Sequence, residues 1–466
     1  MAFGAEEGLL RGVRRRGEEG GKLKVLRVFY HWCSPRKIRL FLIEQTALLV
    51  GFEASALAAS GLGAGGVAEV RWIGAFALLC GLFIQTSLYF ADLYDLPTAA
   101  RDRPVGARLL GALGLALFAY AVASLLWSEA PGSGVLLAGA AGAAGATLLV
   151  RAALPGIVGA PERVLIVGSG RRARELAGLV GAGAEFEVAG LAGLEGPGPD
   201  LLLERLRAQI VVTALDEGEG ALPAQALLRC RVRGAPVFEA SAFAERALRR
   251  LPIGLLRAED LVFSDGFRAR RLDLAFKRGL DLCASGLLSL LAAPLILLAA
   301  LLIRLESRGP VFYHQERLGK GGRVFGLTKL RTMREDAERE GRPVWAQQGD
   351  DRVTRVGRLL RKTRLDELPQ VLSVLRGDMS FVGPRPERPF FVEQIKRAVP
   401  FYELRETAKP GITGWAQVRY PYGASIEDAR AKLEYDLYYL KNRSLFLDLS
   451  ILFHTVRHVL TGRGAR

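Results

Sequence analysis

The stretch Arg361-Lys362-Thr363-Arg364-Leu365-Asp366-Glu367-Leu368-Pro369-Gln370 sets two adjacent carboxylates directly behind a dense series of cations. Arg352, Arg355, Arg358, Arg361 and Arg364 recur at every third residue, with Lys362 among them, so anionic groups collect here. Asp366 and Glu367 are the negative charges in that positive field. One reading is a site where a bound phosphate is drawn towards a carboxylate that would otherwise repel it. A second reading is local: Thr363 with Asp366 three residues on resembles a capping box, and Pro369 suits the first turn of a helix. The two readings are compatible.

Composition narrows the class. The chain has 466 residues, enough for about three domains. A net charge of +16 on a sequence that is 50% hydrophobic is unusual for a nucleic-acid binder and suits a membrane protein resting on an anionic leaflet. No aromatic stacking platform accompanies the basic run, which argues against nucleic acid. Cys33, Cys80, Cys230 and Cys283 lack paired spacing, which argues against a zinc site or a disulfide framework. His454 and His458 stand one helical turn apart with no carboxylate or cysteine beside them, as ordinary helix positions.

Residues 1–39 form a basic segment with Arg14, Arg15, Arg16, Lys22, Lys24, Arg27, Arg36, Lys37 and Arg39. It lacks the hydrophobic core and small-residue cleavage site of a signal peptide. A transmembrane region follows over about 40–155, with apolar segments near 40–62, 72–92, 107–128 and 133–154, each close to the ~20 residues that span a bilayer. Cations at the start of the chain and in the second loop (Arg101, Arg103, Arg108) place both ends inside. Glu44 and Glu53 are expected to face other helices or the interface. Gly139, Gly142 and Gly145 would permit close helix approach.

A soluble piece over about 160–265 begins Arg163-Val164-Leu165-Ile166-Val167-Gly168-Ser169-Gly170-Arg171-Arg172-Ala173, a strand, a glycine turn and a helix. Gly168, Gly170 and Ala173 match a dinucleotide fingerprint loosely. No acidic residue closes the second strand (Phe186 to Leu191), and Glu195 lies in a Gly/Pro-rich loop. The strand-like runs Ile210–Thr213 and Pro236–Glu239 complete a small α/β Rossmann-like domain, read as structural or regulatory rather than catalytic.

The uncharged run 282–303 is long enough to cross a bilayer, but Lys277 and Arg278 precede it and Arg304 and Arg308 follow it. A spanning helix would put one basic flank outside. Pro294 removes a helix hydrogen bond at its middle, so a re-entrant helix that enters and leaves on one face satisfies both flanks; a kinked spanning helix is the alternative.

The remaining chain carries Ser307-Arg308-Gly309-Pro310, Gln315-Glu316-Arg317-Leu318-Gly319, Lys329-Leu330-Arg331-Thr332-Met333, Gly377-Asp378-Met379-Ser380-Phe381-Val382-Gly383-Pro384-Arg385-Pro386 and Lys409-Pro410-Gly411-Ile412-Thr413-Gly414-Trp415. Prolines and glycines beside single arginines aim forks of donors, as phosphate recognition requires. On these motifs residues 272–466 resemble the bacterial sugar transferase family, the monotopic polyprenyl-phosphate phosphoglycosyl transferases. With the membrane helices and the Rossmann-like middle, the chain resembles the long form. Tyr420-Pro421-Tyr422-Gly423-Ala424-Ser425, the run Lys432–Tyr439 and Gly462-Arg463-Gly464-Ala465-Arg466 resemble the exopolysaccharide subgroup associated with the PEP-CTERM system.

The resemblance implies a fold of membrane α-helical region, α/β Rossmann-like domain and α-rich (α+β) monotopic catalytic domain with a re-entrant helix. It also implies transfer of a sugar 1-phosphate from a UDP-sugar to undecaprenyl phosphate, with UMP released, at the cytoplasmic face of the bacterial inner membrane. On that analogy Asp366 is the nucleophile and Glu367 the Mg2+ ligand. Arg361, Lys329, Arg331, Arg317 and Arg385 fall on or near phosphate-binding positions, Lys277 and Arg278 on lipid head-group positions, and Pro294 on the membrane-helix break. A homodimer is expected from similar long forms. Departures are Ala293 where the family often has Ser before the proline, Ser373 where Asn is common, and Arg364 where Ser is common. They bear on local geometry and sugar preference, and no motif distinguishes the sugar. A different class of protein, a membrane scaffold with a nucleotide-sensing middle domain, is separated from the enzyme by an assay for UMP release.

Overall fold

The computed structural model describes residues 26–28, 31–33, 35–59, 67–91, 93–94, 105–125, 133–153, 160–181, 185–267, 270–334, 352–421, 423 and 425–460. The cations Arg14 to Lys24, the loop residues Arg101 and Arg103, Tyr422, Ala424 and the closing Gly462–Arg466 lie outside them. The chain divides after Glu239 into two compact units, with the short stretch Arg27–Trp32 grouped with the second.

In the first unit, four helices, α1 (Pro35–Ala59), α2 (Val67–Phe90), α3 (Val105–Leu125) and α4 (Ser133–Ala152), match the four apolar segments. α1, α2 and α4 are long and apolar enough to cross a membrane. α3 carries a shorter apolar stretch, Arg108–Val122. Leu48 and Phe52, Phe76 and Ile84, Ala116 and Tyr120, and Ala140 and Ala143 meet in one core drawn from all four. α1 and α4 approach through glycine: a Cβ on Gly142 would collide with the Gly51 carbonyl oxygen, and one on Gly139 would press on the Phe52 ring. Gly145 faces open space, so only two of the three glycines serve the contact. Glu44 is fully buried. It is paired with Arg151, whose Nη1 also donates to the Leu93 carbonyl at 2.6 Å. Glu53 lies on the outer side of α1.

The same unit contains a parallel sheet in the order β2 (Phe186–Ala192), β1 (Glu162–Val167), β3 (Ile210–Thr213), β4 (Val237–Glu239). The intervening helices are α5 (Arg171–Gly181), α6 (Pro199–Arg205) and α7 (Ala224–Val232). Val164, Leu165 and Ile166 are fully buried, as the continuous apolar run of a central parallel strand requires.

The second unit is built on α8 (Arg271–Glu306), one continuous helix of 36 residues with Pro294 inside it. An antiparallel hairpin, β5 (Phe312–Leu318) and β6 (Val324–Leu330), follows it. Next come α9 (Arg355–Thr363), α10 (Val371–Arg376) and β7 (Ser380–Val382), which pairs in parallel with β8 (Gly411–Thr413). α11 (Ile426–Lys441) and α12 (Leu445–Leu460) close the unit. Its core gathers Trp415, Tyr438, Tyr439, Leu437 and Ile451, together with Leu251 and Ile253. The segment from Ala240 is thus tied to this unit, with Lys441 on Glu245 at 2.7 Å and the Trp415 indole donating to the Arg249 carbonyl at 2.9 Å.

Both ends of α8 are fastened to this one unit. Near its start, Lys277 bonds Asp448 at 2.7 Å and the Val382 carbonyl at 3.0 Å. Arg278 donates to the Val374 and Leu375 carbonyls at the end of α10. The Asp281 carboxylate accepts from Ser380 Oγ and from the Phe381 amide. At its far end Glu306 accepts the Arg355 and Val356 amides at 2.7 and 3.0 Å, and Ala299 and Ile303 pack on Leu330 and Leu360. Between these anchors the helix presents leucines outward, with Leu290 73% and Leu297 71% exposed.

Candidate active site

The carboxylate pair sits on a 3-10 turn, Leu365–Gln370, and not on the start of an α-helix. The capping-box reading of Thr363 with Asp366 is therefore corrected. Thr363 closes α9, and its hydroxyl donates back to the Leu359 carbonyl at 2.8 Å. The residue that caps α9 at its start is Thr354, which accepts the Gly357 amide at 2.9 Å. Arg364 then adopts the left-handed region at φ 57°, reversing the chain so that the next two side chains turn inward. Leu365 packs with Ala299, Ile303 and Leu360, which fixes the turn to the end of α8.

Three cations converge on Glu367. Its Oε1 accepts Lys329 Nζ at 3.0 Å and Arg385 Nη2 at 2.8 Å, and its Oε2 lies 3.6 Å from Arg364 Nη1. Lys329 comes from the end of β6, and Arg385 from the Pro-Arg-Pro loop after β7. Burial alone would raise the Glu367 value, but the Arg385, Lys329 and Arg364 charges outweigh it and hold the carboxyl well below its ordinary range. Asp366, buried next to it, moves the other way. Burial and the neighbouring Glu367 charge raise it, while Lys329, Arg361 and Arg364 act in opposition without reversing the direction. Burial likewise lowers Lys329. Two adjacent carboxyls are thus pushed apart, one clamped as an anion and the other left with its charge less satisfied.

The remaining sequence candidates have definite places. Arg361 Nε donates to Thr332 Oγ1 at 2.9 Å, and its charge reaches Asp366 electrostatically. Arg317 donates to the Pro386 carbonyl at 3.0 Å, bracing the loop that presents Arg385. Arg331 is directed away from the pair, to the Arg308 and Ser307 carbonyls at 2.8 and 3.0 Å, and so braces the end of α8. Lys277 and Arg278 are engaged at the other anchor, and Pro294 lies between the two. A cleft lined by Gly319, Pro384, Arg385, Glu387, Tyr402 and Arg405 opens beside Arg385.

Arg405 and Asp436 escape sequence reasoning. Arg405 Nη2 donates to the Arg385 carbonyl at 3.0 Å and its Nε to Asp436 Oδ2 at 2.8 Å, deep in the unit. Burial raises Asp436, and the Arg405 charge opposes it. The Tyr402 phenol, bonded to the same guanidinium, is pushed up to about 12 by burial. Asp436 lies within the run Lys432–Tyr439, but no spacing links it to Arg405; only the packing brings the two together behind Arg385.

No group of three or more metal-ligating side chains occurs among the described residues. Mg2+ takes one or two carboxylates and completes its shell with water and substrate phosphate, so Glu367 beside Asp366 supplies the minimal donor set. Both Glu367 oxygens face cations, Oε1 with Lys329 and Arg385 and Oε2 with Arg364 at 3.6 Å.

The bacterial sugar transferase family matches residues 272–462, which span the long helix and the carboxylate turn. The UDP-glucose:undecaprenyl-phosphate glucose-1-phosphate transferase of Caulobacter vibrioides is 50% identical over 193 residues, 41% of this chain and 71% of that protein. The UDP-N-acetylgalactosamine-undecaprenyl-phosphate N-acetylgalactosaminephosphotransferase of Aeromonas hydrophila is 46% identical over 240 residues, covering 52% of this chain and 56% of its own length. The exopolysaccharide production protein PSS of Rhizobium leguminosarum bv. phaseoli is 41% identical over 202 residues, 41% of this chain and the whole of that protein. A membrane-anchored sugar transferase is the class so defined. The chain belongs to the bacterial sugar transferase family.

Proposed function

We propose that this protein transfers a sugar 1-phosphate from a UDP-sugar to undecaprenyl phosphate, with release of UMP, as the first membrane step of exopolysaccharide synthesis. The observation that carries the reading is the opposed pair: Glu367 held anionic by Lys329 and Arg385, and Asp366 raised beside it. A carboxylate that bonds transiently to phosphorus splits one difficult displacement into two easier ones. In the first step an Asp366 oxygen forms a bond to the sugar-bearing phosphorus. The bond from that phosphorus to the bridging oxygen breaks, and UMP departs with the electron pair. In the second step an oxygen of undecaprenyl phosphate attacks the same phosphorus and restores the Asp366 carboxylate.

Lys329, Arg385 and Arg361 are placed to bear the negative charge of the diphosphate and of the departing UMP. Arg317 and Arg331 hold the elements that carry them. Mg2+, when bound at Glu367, supplies charge neutralisation at the diphosphate. Lys277 and Arg278, assigned to lipid head groups by resemblance, have a first task in fastening α8. Any head-group contact uses what their protein bonds leave available.

The catalytic unit is assigned to the cytoplasmic side of the inner membrane, with α8 entering and leaving on that face. Support comes from the two anchors of α8, since a helix that crossed the bilayer would carry its two ends to opposite sides. A homodimer belongs to the same reading. The relatives are named for different sugars, glucose and N-acetylgalactosamine, so the sugar here is left to assay. Incubating the purified protein with UDP-sugars and undecaprenyl phosphate should release UMP, and a phosphosugar adduct should appear in a mass spectrum of the peptide bearing Asp366. Lipid product accumulating over an unmodified peptide would overturn the covalent route. A scaffold with no transfer activity would release no UMP from any sugar of the panel.

A further inference from the structure

The glycine turn of the middle domain, Gly168-Ser169-Gly170 at the start of α5, is where a related fold would seat the pyrophosphate of a dinucleotide. Here its amides already have acceptors. Glu219 Oε1 receives the Ser169 amide at 2.5 Å, the Ser169 hydroxyl at 2.9 Å and the Gly170 amide at 3.1 Å. Asp216 takes the next two donors in order, the Arg171 amide through Oδ2 and the Arg172 amide through Oδ1 at 3.1 Å. The two acids are joined, since the Asp216 amide donates to Glu219 Oε2 at 2.9 Å.

The glycines themselves are accounted for by this same segment. A Cβ on Gly168 would lie 2.6 Å from the Ala214 carbonyl oxygen, and one on Gly170 would collide with the Asp216 carboxylate. Arg172, buried behind the turn, donates to the Leu215 carbonyl at 2.9 Å and to Glu239 at 2.7 Å, so the residue preceding Asp216 is also held. The amides that hold Glu219 lower its carboxyl from the ordinary value, the direction expected of an anion in a ring of donors.

We infer that Asp216 and Glu219 form an internal anion clasp that takes the place of a phosphate at the glycine turn, so that this turn is a structural joint between β1, α5 and the loop after β3 and not a nucleotide sensor. A nucleotide could enter only by displacing two carboxylates that its own charge repels. The inference is independent of the transfer reaction, and a readout confined to this turn keeps the two apart.

Amide hydrogen exchange in the full-length, detergent-solubilised protein supplies that readout. In the unaltered chain, peptides covering Ser169–Arg172 should exchange slowly and be unchanged by inorganic pyrophosphate or NAD. Joint replacement Asp216→Ala and Glu219→Ala should speed exchange there roughly tenfold, the scale of a lost helix cap, and added pyrophosphate should slow it again. Peptides from β1 report whether the sheet survives. If they also accelerate, Glu219→Ala alone is read, with faster exchange expected at Ser169 and Gly170 and none at Arg172. Two results would overturn the clasp: wild-type exchange rates in the variants, or pyrophosphate or NAD accelerating residues 214–219 of the unaltered protein while Ser169–Arg172 stays protected.

Discussion

Arg405 Nη2 donates to the main-chain carbonyl of Arg385 at 3.0 Å, so a guanidinium buried in the catalytic unit holds the backbone of an arginine that touches Glu367. Asp436, 2.8 Å from Arg405 Nε, is the counter-charge that makes this burial tolerable. Breaking one partner of such a pair leaves the other uncompensated, at about 3–5 kcal/mol. Asp436→Asn relieves the burial cost at Asp436 but leaves the buried Arg405 charge without its partner, and since the second effect is the larger it should lower the unfolding temperature. Arg405→Lys, which keeps the charge but loses the second donor, should reduce kcat for UMP release more than it raises KM. An unchanged kcat in Arg405→Lys would mean that Arg385 needs no such support.

Asp366 and Glu367 should respond to neutralisation with opposite signs in stability. The folded value of Glu367 lies below its unfolded value. Its contribution is therefore present above the unfolded carboxylate range and lost as pH falls through the folded value. The folded value of Asp366 is raised, so burying its charge costs free energy that develops as pH rises from the unfolded towards the folded value, and persists above it. At neutral pH Asp366→Asn should raise the melting temperature and Glu367→Gln should lower it. In strong acid both differences should vanish. Melting curves across that range test the pair, and shifts of the same sign at neutral pH would refute the split.

Both variants should lose turnover whatever they do to stability. Asp366→Asn should cut UMP release on the order of 10³-fold or more, as the loss of a covalent nucleophile does. Glu367→Gln should weaken it by roughly 10²-fold through unclamped Lys329 and Arg385. Initial-rate assays on detergent-solubilised protein check this, and full turnover by Asp366→Asn would end its assignment as nucleophile.

How much of this the sequence shows depends on the range of the interaction. The four apolar segments and the strand-turn-helix at Gly168 are local patterns, and each appears at its expected place. The convergence of Lys329 and Arg385 on Glu367 follows motif order, because each lies in a short Pro/Gly- or strand-bounded run that the resemblance marks. Thr363 misleads because one hydroxyl can cap a following helix or bond back into its own, and the left-handed Arg364 decides between them. The pairing of Arg405 with Asp436 is invisible for a different reason: a buried pair joined across 31 residues leaves no periodicity to detect. The acids that fill the glycine turn, Asp216 and Glu219, look in sequence like an ordinary polar loop.

The sidedness of α8 can be read chemically. Cysteines introduced at Arg270 and Arg308, in a background without native cysteines, should both react with a membrane-impermeant maleimide in inverted vesicles and neither in right-side-out cells. One label in each preparation would mean that the helix crosses the bilayer.

Glycine contact in the membrane bundle gives a further check. Gly142→Leu has no room for its side chain against Gly51 and Ser55. It should separate α1 from α4 and lower thermal stability by about 1–3 kcal/mol. Gly145→Leu, facing open space, should leave the melting temperature nearly unchanged.

The fastening of α8 at both ends, with Leu365 seated on its final turns, couples the carboxylate turn to an apolar rod. On the proposed reading that rod acts as a depth gauge: the level at which its outward leucines settle among acyl chains sets the height of Asp366. A lipid-borne acceptor then meets the site by sideways diffusion in a single leaflet, a search in two dimensions with one coordinate already solved.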